Sequence, residues 1–405
     1  MGDKKSNLIV SKEQLDSVLD TVVEKLAAMG PDIDKKGSYP YEGVELLKES
    51  GIINAFLPKE YGGLGLGVDG DYCTYFHTIE RVSSGCSNVG QLLLVQAASM
   101  NSIYDLGSKK QIKFFSEEIR EKGSMFCYLG SEPADRFTSD NKRARMDSSV
   151  TRVDGGWSIN AKKAFATGSV GSTYSLIFCM EDGEQDPSKM VVVGIPTSDP
   201  SVTVIDSWDN MGQRATTSGM LEIKDGFISD DFTFGPPGTF SKSNVLAPIF
   251  QLSFAAALTG IAQGAMNFVL DFSANHQKPT VGFERVADEP TIQNHVGEMA
   301  TDIMAARALV NRAARMLEEV GQGGGNIPEM MVAVYMAKTF THRMSVNVCT
   351  KIFQLTGARS TTARFGADRF WRNARTLSLH DNLDKQQGTI GRYVLGVEIP
   401  KMSTR

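Results

Sequence analysis

The sequence predicts an α+β fold in three parts, helical at both ends and made of short strands in the middle. Three observations carry this. Apolar residues recur at three- and four-residue spacing through residues 11–120, the period of one helix face. From about 125 to 235 the chain breaks into short β-prone runs separated by turn residues. From about 245 the long helical patterns return. A chain of 405 residues exceeds what one core normally serves. The changes of texture divide it into an N-terminal helical domain (1–122), a middle β domain (123–240) and a C-terminal helical domain (241–405).

The elements follow in order. Leu15, Val18, Leu19, Val22, Val23 and Leu26 form one apolar stripe, and Gly30-Pro31 is expected to end that helix. A second helix is expected near Tyr41–Ser50, stopping at Gly51, and PKEYGGLGLGVDGD (58–71) reads as a loop. Helices near 71–84, 88–106 and Lys109–Glu121 complete the first part. WSINAKKAF, YSLIFCM (174–180), KMVVVGI (189–195), VTVID (202–206) and MLEIKDGFI (220–228) are strand candidates. Their spacing suggests an antiparallel sheet or small barrel rather than βαβ units. QLSFAAALTGIAQGAMNFVLDF is apolar or small on nearly every face, as a fully buried helix should be. Val296, Met299, Ile303, Ala306, Val310, Ala313 and Leu317 make an amphipathic stripe, and a last long helix runs from about Glu329 to Leu355.

Composition excludes several classes. The net charge of −5 lacks the basic excess of a nucleic-acid binder. The most apolar stretch, Phe250–Leu270, is interrupted by Gln251, Gln263 and Asn267, so no membrane span is expected. The N-terminus has no apolar signal core, and the five cysteines are scattered without a CxxC pair. A cytoplasmic chain with reduced thiols is therefore expected. The five histidines form neither HxH nor HExxH, so no metal site is expected.

Several segments carry possible chemistry. Gly65-Leu66-Gly67-Val68-Asp69-Gly70 fits G-x-G-x-x-G, but a proline-led loop precedes it where a dinucleotide site needs a strand. Its glycines are better read as turn residues. SEPADRFTSD (131–140) lies where helices hand over to strands, and KKAFATGSVGS (162–172) runs from a strand into small and hydroxyl residues that a flat ligand can approach. Trp208 stands in a polar segment, SWDNMGQRATTSG. The segment 353–382 gathers Arg359, Arg364, Arg369, Arg372 and Arg375 with a tryptophan and the His380-Asp381 pair. Arginine forks suit phosphate, although a solvated helix face is the plainer account of any one of them. His380 titrates near neutrality and can pass protons, although a lone histidine is more often structural.

Together these pieces resemble the acyl-CoA dehydrogenase superfamily. LPKEYGGLG, the SEPA…SD loop, DGGWSINAKKAFATG, MGQRATTSG, GIAQGA, QLTGARS and RFWRNAR stand in that family's order, over nearly the whole chain. The resemblance implies a helical domain, a middle antiparallel β-barrel domain and a C-terminal four-helix bundle, assembled as a homotetramer. LAPIFQLSFAAALTGIAQGA, the Trp208 segment and RFWRNARTLSLHD are similar to the flavin-dependent monooxygenase branch typified by dibenzothiophene and indole monooxygenases. Dehydrogenases usually carry Tyr-Glu-Gly-Thr where this chain has His380-Asp381-Asn382-Leu383, so Asp381 is one methylene short of their base.

That resemblance implies a two-component oxygenase. Reduced flavin, FAD ahead of FMN, comes from a separate reductase and reacts with O2 through a C4a-(hydro)peroxyflavin. The substrate is a small aromatic or heteroaromatic ring, indole-like or a sulfur heterocycle. By resemblance His380 is the acid/base, and Asp381 either orients it or caps the local turn. Tyr128, Leu129, Gly130, Ser131, Phe165 and Thr167 lie beside the flavin ring, and Lys278, Gln354 and Arg359 reach the flavin of a neighbouring subunit. Gln96, Trp208 and Leu377 face the substrate. Two alternatives remain: an acyl-CoA dehydrogenase-type oxidoreductase with Asp381 as base, and a flavin-binding member without catalysis.

Overall fold

The computed structural model describes residues 8–133, 146–184 and 186–397. The N-terminal part contains α1 (Lys12–Lys36), α2 (Tyr41–Glu49), a single turn α3 (Ile52–Ala55), α4 (Tyr72–Gly85), α5 (Ser87–Leu106) and α6 (Lys109–Lys122). The first helix does not end at Gly30-Pro31. It continues to Lys36 with Pro31 inside it and stops at Gly37, whose φ is 63°. The clash of a proline ring with the preceding residue involves that residue's Cβ, and Gly30 has none. Burial of Ile33 and Asp34 then holds the last turn in place.

The middle part contains β1 (Phe126–Leu129), β2 (Ser149–Val153), β3 (Gly156–Ala164), β4 (Tyr174–Glu181), β5 (Val191–Pro196), β6 (Val202–Ile205) and β7 (Met220–Ser229). The sheet is mixed rather than antiparallel. Its order is β1-β4-β2-β3-β7-β6, with β5 also paired to β4. β4 is the hub: β1 runs parallel to it from Phe126↔Tyr174 to Leu129↔Ile177, and β2 joins it, also parallel, at Ser149↔Met180. Parallel neighbours need a long crossover, and the β2–β3 hairpin lies within the one between β1 and β4. β1 and β2 lie outside the strand candidates. β1 is four residues long and largely buried, without the alternation that marks a strand in sequence.

A one-turn helix α7 (Thr239–Lys242) leads to three long helices, α8 (Leu246–Asn275), α9 (Pro290–Gly321) and α10 (Ile327–Thr356). These pack on one another, with α11 (Asp368–Leu377) and α12 (Leu383–Val394) against α10. Among the described residues α8 alone is long and apolar enough to cross a membrane, yet 78% of its most apolar window is buried inside the protein. The GIAQGA motif explains one contact. A Cβ on Gly260 would sit 2.3 Å from the carbonyl oxygen of Glu80, and one on Gly264 2.5 Å from that of Ser84. Glycine at both positions lets α8 lie directly on the backbone of α4. One apolar core thus runs through both helical parts, while the sheet interior forms a second.

Candidate active site

Two loops meet at the end of β3. Ala164 N–H donates to the Ser131 carbonyl at 3.0 Å, which ties the segment Tyr128–Ser131 to the Phe165–Gly168 turn. Ala166 N–H donates to Gly219 O, and Gly168 N–H to Thr216 O at 2.9 Å. Of the four described non-glycine residues with positive φ, three sit here: Phe165 (54°), Gln213 (50°) and Thr217 (44°). The left-handed region costs an ordinary residue about 1–2 kcal/mol, and such strain clusters at functional sites. Hydroxyls line the cradle: Thr167 Oγ1 lies 2.8 Å from Ser218 Oγ, which lies 2.7 Å from Thr216 Oγ1. The Thr217 hydroxyl is buried without a partner among the described residues. Phe165 is 61% exposed, and its ring meets Trp208 edge-on at 6.1 Å. A flat ring rich in hydrogen-bond acceptors fits these donors and this exposed aromatic wall.

The Trp208 loop is held from behind by RFWRNAR. Asn373 accepts from Gln213 N–H at 2.6 Å, Arg372 donates to the Met211 carbonyl at 2.7 Å, and Trp208 Nε1 donates to Gln213 O at 2.8 Å. Arg372 also pairs with Asp34 and Asp368, and Arg369 donates to the carbonyls of Phe365 and Gly366. Arg372 therefore braces the cradle and Arg369 the lead-in to its own helix, which accounts for both without a phosphate.

His380 occupies a second corner. Its ring stacks on Phe254 of α8 at 3.7 Å and meets Phe250 edge-on at 5.6 Å. Phe250 also touches Tyr128 at 5.1 Å, so one aromatic chain joins the end of β1 to His380. His380 Nδ1 faces Asp381 Oδ2 at 3.5 Å. The same oxygen accepts from the ammonium of Lys338, on α10, and from Gln386 Nε2 at 3.4 Å. Lys338 is fully buried and also donates to Gln251 of α8. Burial opposes ionisation of Asp381, but the His380 hydrogen bond and the Lys338 charge win and hold its carboxyl well below the usual carboxylate range. One turn beyond Lys338, the buried His342 donates from Nδ1 to the Ser378 carbonyl at 3.0 Å.

Residues 11–120 match the acyl-CoA dehydrogenase N-terminal domain, 127–226 its middle domain and 252–385 its C-terminal domain. The chain belongs to the acyl-CoA dehydrogenase superfamily. Within that superfamily it is similar to several named monooxygenases. It is 28% identical to dibenzothiophene monooxygenase of Rhodococcus qingshengii, over 94% of this chain and 92% of that one. It is 25% identical to the probable FMNH2-dependent monooxygenase SfnC of Pseudomonas putida, over 98% and 96%. The crystal structure of TdsC from Paenibacillus sp. A11-2 with FMN and indole is 25% identical, with a TM-score of 0.87, over 97% of this chain and 100% of that one.

Against that superfamily background the expected site residues divide. Tyr128, Leu129, Gly130, Ser131, Phe165, Thr167 and Trp208 gather at the cradle, and His380 and Asp381 at the corner joined to it by Tyr128 and Phe250. Gln96 is elsewhere. Its carbonyl accepts from Phe126 N–H at 2.7 Å and its amide donates to Ser124 O at 3.3 Å, so it clamps α5 to β1 instead of facing a substrate. Leu377 is 4% exposed and packs in the helical core. Lys278 and Gln354 are exposed, and Arg359 donates to the His276 carbonyl at 2.8 Å, just beyond the far end of α8. At 1.5 Å per residue, the end of α8 lies about 32 Å from Phe254. Ala134–Asp140 of the expected SEPADRFTSD turn lies outside the described residues. Sequence reasoning missed Lys338, Gln251, His342 and Ser218. The signal for the first two was a lysine and a glutamine at buried phases of otherwise apolar helices.

Proposed function

We propose that this protein is the oxygenase of a two-component system that takes reduced flavin from a separate reductase. It then uses O2 to oxygenate a flat aromatic or heteroaromatic substrate, indole-like or a sulfur heterocycle. One observation carries the choice over the dehydrogenase alternative. A base that removes an α-proton needs a pKa near the working pH, whereas Asp381 is held ionised by His380 and Lys338 and spends one oxygen on them. His380, stacked among aromatics beside that carboxylate, is the better acid/base. The hydroxyl-lined cradle and the unpartnered Thr217 hydroxyl support a flavin site, and His380 and Asp381 at the adjoining corner support catalysis over a silent flavin-binding member.

FMN is the favoured cofactor in place of the FAD expected from sequence. TdsC has been crystallised with FMN, and SfnC is named for FMNH2. Bound reduced flavin supplies the electrons that activate O2. The Thr167–Ser218 pair and the backbone of Leu129–Ser131 would hold the flavin ring, and Phe165 and Trp208 would wall it. Phe250, Phe254 and Tyr128 supply an apolar wall beside His380, which would hold or move one proton at Nε2. Lys278 and Arg359 lie just beyond the far end of α8, and Gln354 near the C-terminal end of α10, away from the cradle of the same chain. Their role is to complete a neighbour's site in a homotetramer.

The test is oxygen uptake and product analysis with reduced FMN, a reductase and indole or a benzothiophene. Substrate-coupled incorporation of labelled oxygen is the expected result. Anaerobic bleaching of bound oxidised flavin by an acyl-CoA, without oxygenation, would move the assignment to the dehydrogenases.

A further inference from the structure

We propose that Lys338 is a positioning residue for this chemistry: from the middle of α10 it fixes Asp381, and through Asp381 it sets the ring of His380. The proposal rests on the monooxygenase reading above. Lysine is almost never fully buried unless paired, and a buried ion pair is commonly no more stable than apolar residues filling the same space. Stability alone therefore gives weak reason for a charged pair here. The geometry gives a functional one. Lys338 donates to Asp381 Oδ2 and to Gln251 Oε1, and its ammonium stands 5.6 Å from the centre of the Phe254 ring on which His380 stacks. It thus reaches His380 through both of that ring's supports, the carboxylate and the aromatic face.

The carboxylate can only accept, so Nδ1 of His380 carries the hydrogen that faces it, and Nε2 is the working nitrogen. The charge balance matters as much as the orientation. An unshared carboxylate would favour the protonated imidazole more strongly. With Lys338 on the same oxygen, the carboxylate that faces His380 is shared with a positive charge, which weakens its hold on an imidazole proton. Among the described residues, His342 on α10, which is buried neutral, lies near His380 with the uncharged rings of Phe250 and Phe254, while Tyr335 on α10 and Gln386 on α12 lie near Asp381. Asp381 and Lys338 are therefore the charges to remove to test its titration.

The decisive measurement is NMR titration of histidine ring carbons in the flavin-free protein, which has five histidines, with His380→Gln to assign the signal. In Lys338→Met the His380 midpoint should rise by roughly one pH unit or more, because an opposing positive charge is gone. Reconstituted Lys338→Met should bind FMN as wild type does, yet divert at least ten-fold more oxygen to H2O2, with the coupled-turnover profile displaced to higher pH. If burial of a lone Asp381 unfolds that variant, Lys338→Met/Asp381→Asn removes both charges together. It should fold, and its His380 midpoint should fall below that of wild type. In the cycle of single and double variants, the loss of coupling from Lys338→Met should largely vanish once Asp381 is asparagine. Coincident His380 midpoints in wild type and both charge variants, or strictly additive losses of coupling, would overturn the role. Should the wild type oxygenate no aromatic compound, the function proposed above fails, while the midpoints still decide whether Lys338 sets His380.

Discussion

The cradle around Phe165 and the corner around His380 solve one task in opposite ways. The cradle is shaped mainly by backbone: strained φ angles at Phe165, Gln213 and Thr217, loop-to-loop amide bonds and small hydroxyls. The corner is shaped by side chains that carry charge, with Lys338, Asp381 and His380 packed on two phenylalanines. Backbone donors tolerate sequence change and give shape to a flat ligand. A charge cluster anchored on the buried Lys338 depends on each partner, since removing Asp381 leaves that ammonium uncompensated. The contrast predicts graded losses in the cradle and abrupt ones in the corner.

The largest effect is expected at His380. His380→Ala should keep the fold and the flavin yet lower coupled oxygenation by about 10²–10⁴-fold, the usual contribution of a positioned acid/base. Oxygen should still be consumed and the electrons should leave as H2O2. Product and peroxide yields measured together check this. Wild-type coupling in the variant would move the chemistry out of the corner and into the cradle.

The next effect is acid lability. Burial first, and then the positive neighbours Lys338 and His380, keep the pKa of His342 well below its ordinary value. The folded-state pKa is depressed, so the unfolded chain takes up a proton below about pH 6.5 that the folded chain refuses. Stability from this group is intact above that pH and falls below it, by up to about 1.4 kcal/mol per pH unit. Asp381 has the same sign lower down, below its ordinary carboxylate pKa. Replacing His342 with Gln should flatten the slope of denaturation midpoints between pH 6.5 and 5. An unchanged slope would place the sensitivity elsewhere.

The cradle offers the opposite sign. Phe165 holds φ at 54° with its ring 61% exposed, so the fold gains little from the ring and bears the backbone strain. Asparagine tolerates that conformation better. Phe165→Asn should raise the melting temperature, by the equivalent of about 1 kcal/mol, while weakening flavin binding. A variant less stable than wild type would show that the ring contributes packing to the fold.

The two regions were unequally legible in the sequence. The helix–strand–helix order follows from local periodicity, and long helices such as α8 and α10 announce themselves through ten or more apolar positions. His380-Asp381 stood out as a pair, and Phe165, Thr167 and Trp208 as polar or aromatic breaks after strands. What escaped depends on distance in the chain. Gln96 resembles a substrate contact, but only the fold brings the backbone of Ser124 and Phe126 to its amide. Lys338 lies 43 residues from Asp381 and 87 from Gln251, and no spacing rule reaches that far. β1 was hidden because a four-residue strand beside a parallel partner has no alternation to read. Pro31 misled because one part of its penalty, the clash with the preceding Cβ, is missing after Gly30, and the burial of Ile33 and Asp34 offsets the rest.

The smallest expected effect separates the two functions that meet in Trp208. Its indole edge faces Phe165 at 6.1 Å, and its Nε1–H donates to the Gln213 carbonyl at 2.8 Å. The ring walls the ligand, while the hydrogen bond steadies the strained turn that presents Thr216 and Thr217. Trp208→Ala removes both, and should raise the KM for an aromatic substrate more than the Kd for FMN, by the equivalent of about 0.5–1.5 kcal/mol beyond lost area. Trp208→Phe keeps an aromatic face and removes only the donor. If the wall matters most, Trp208→Phe should behave nearly as wild type in KM, and the cradle is a shape held by redundant backbone bonds. If Trp208→Phe instead loses flavin as Trp208→Ala does, one side-chain hydrogen bond holds the turn. The cradle would then fail as abruptly as the charged corner, and the distinction between the two regions would collapse.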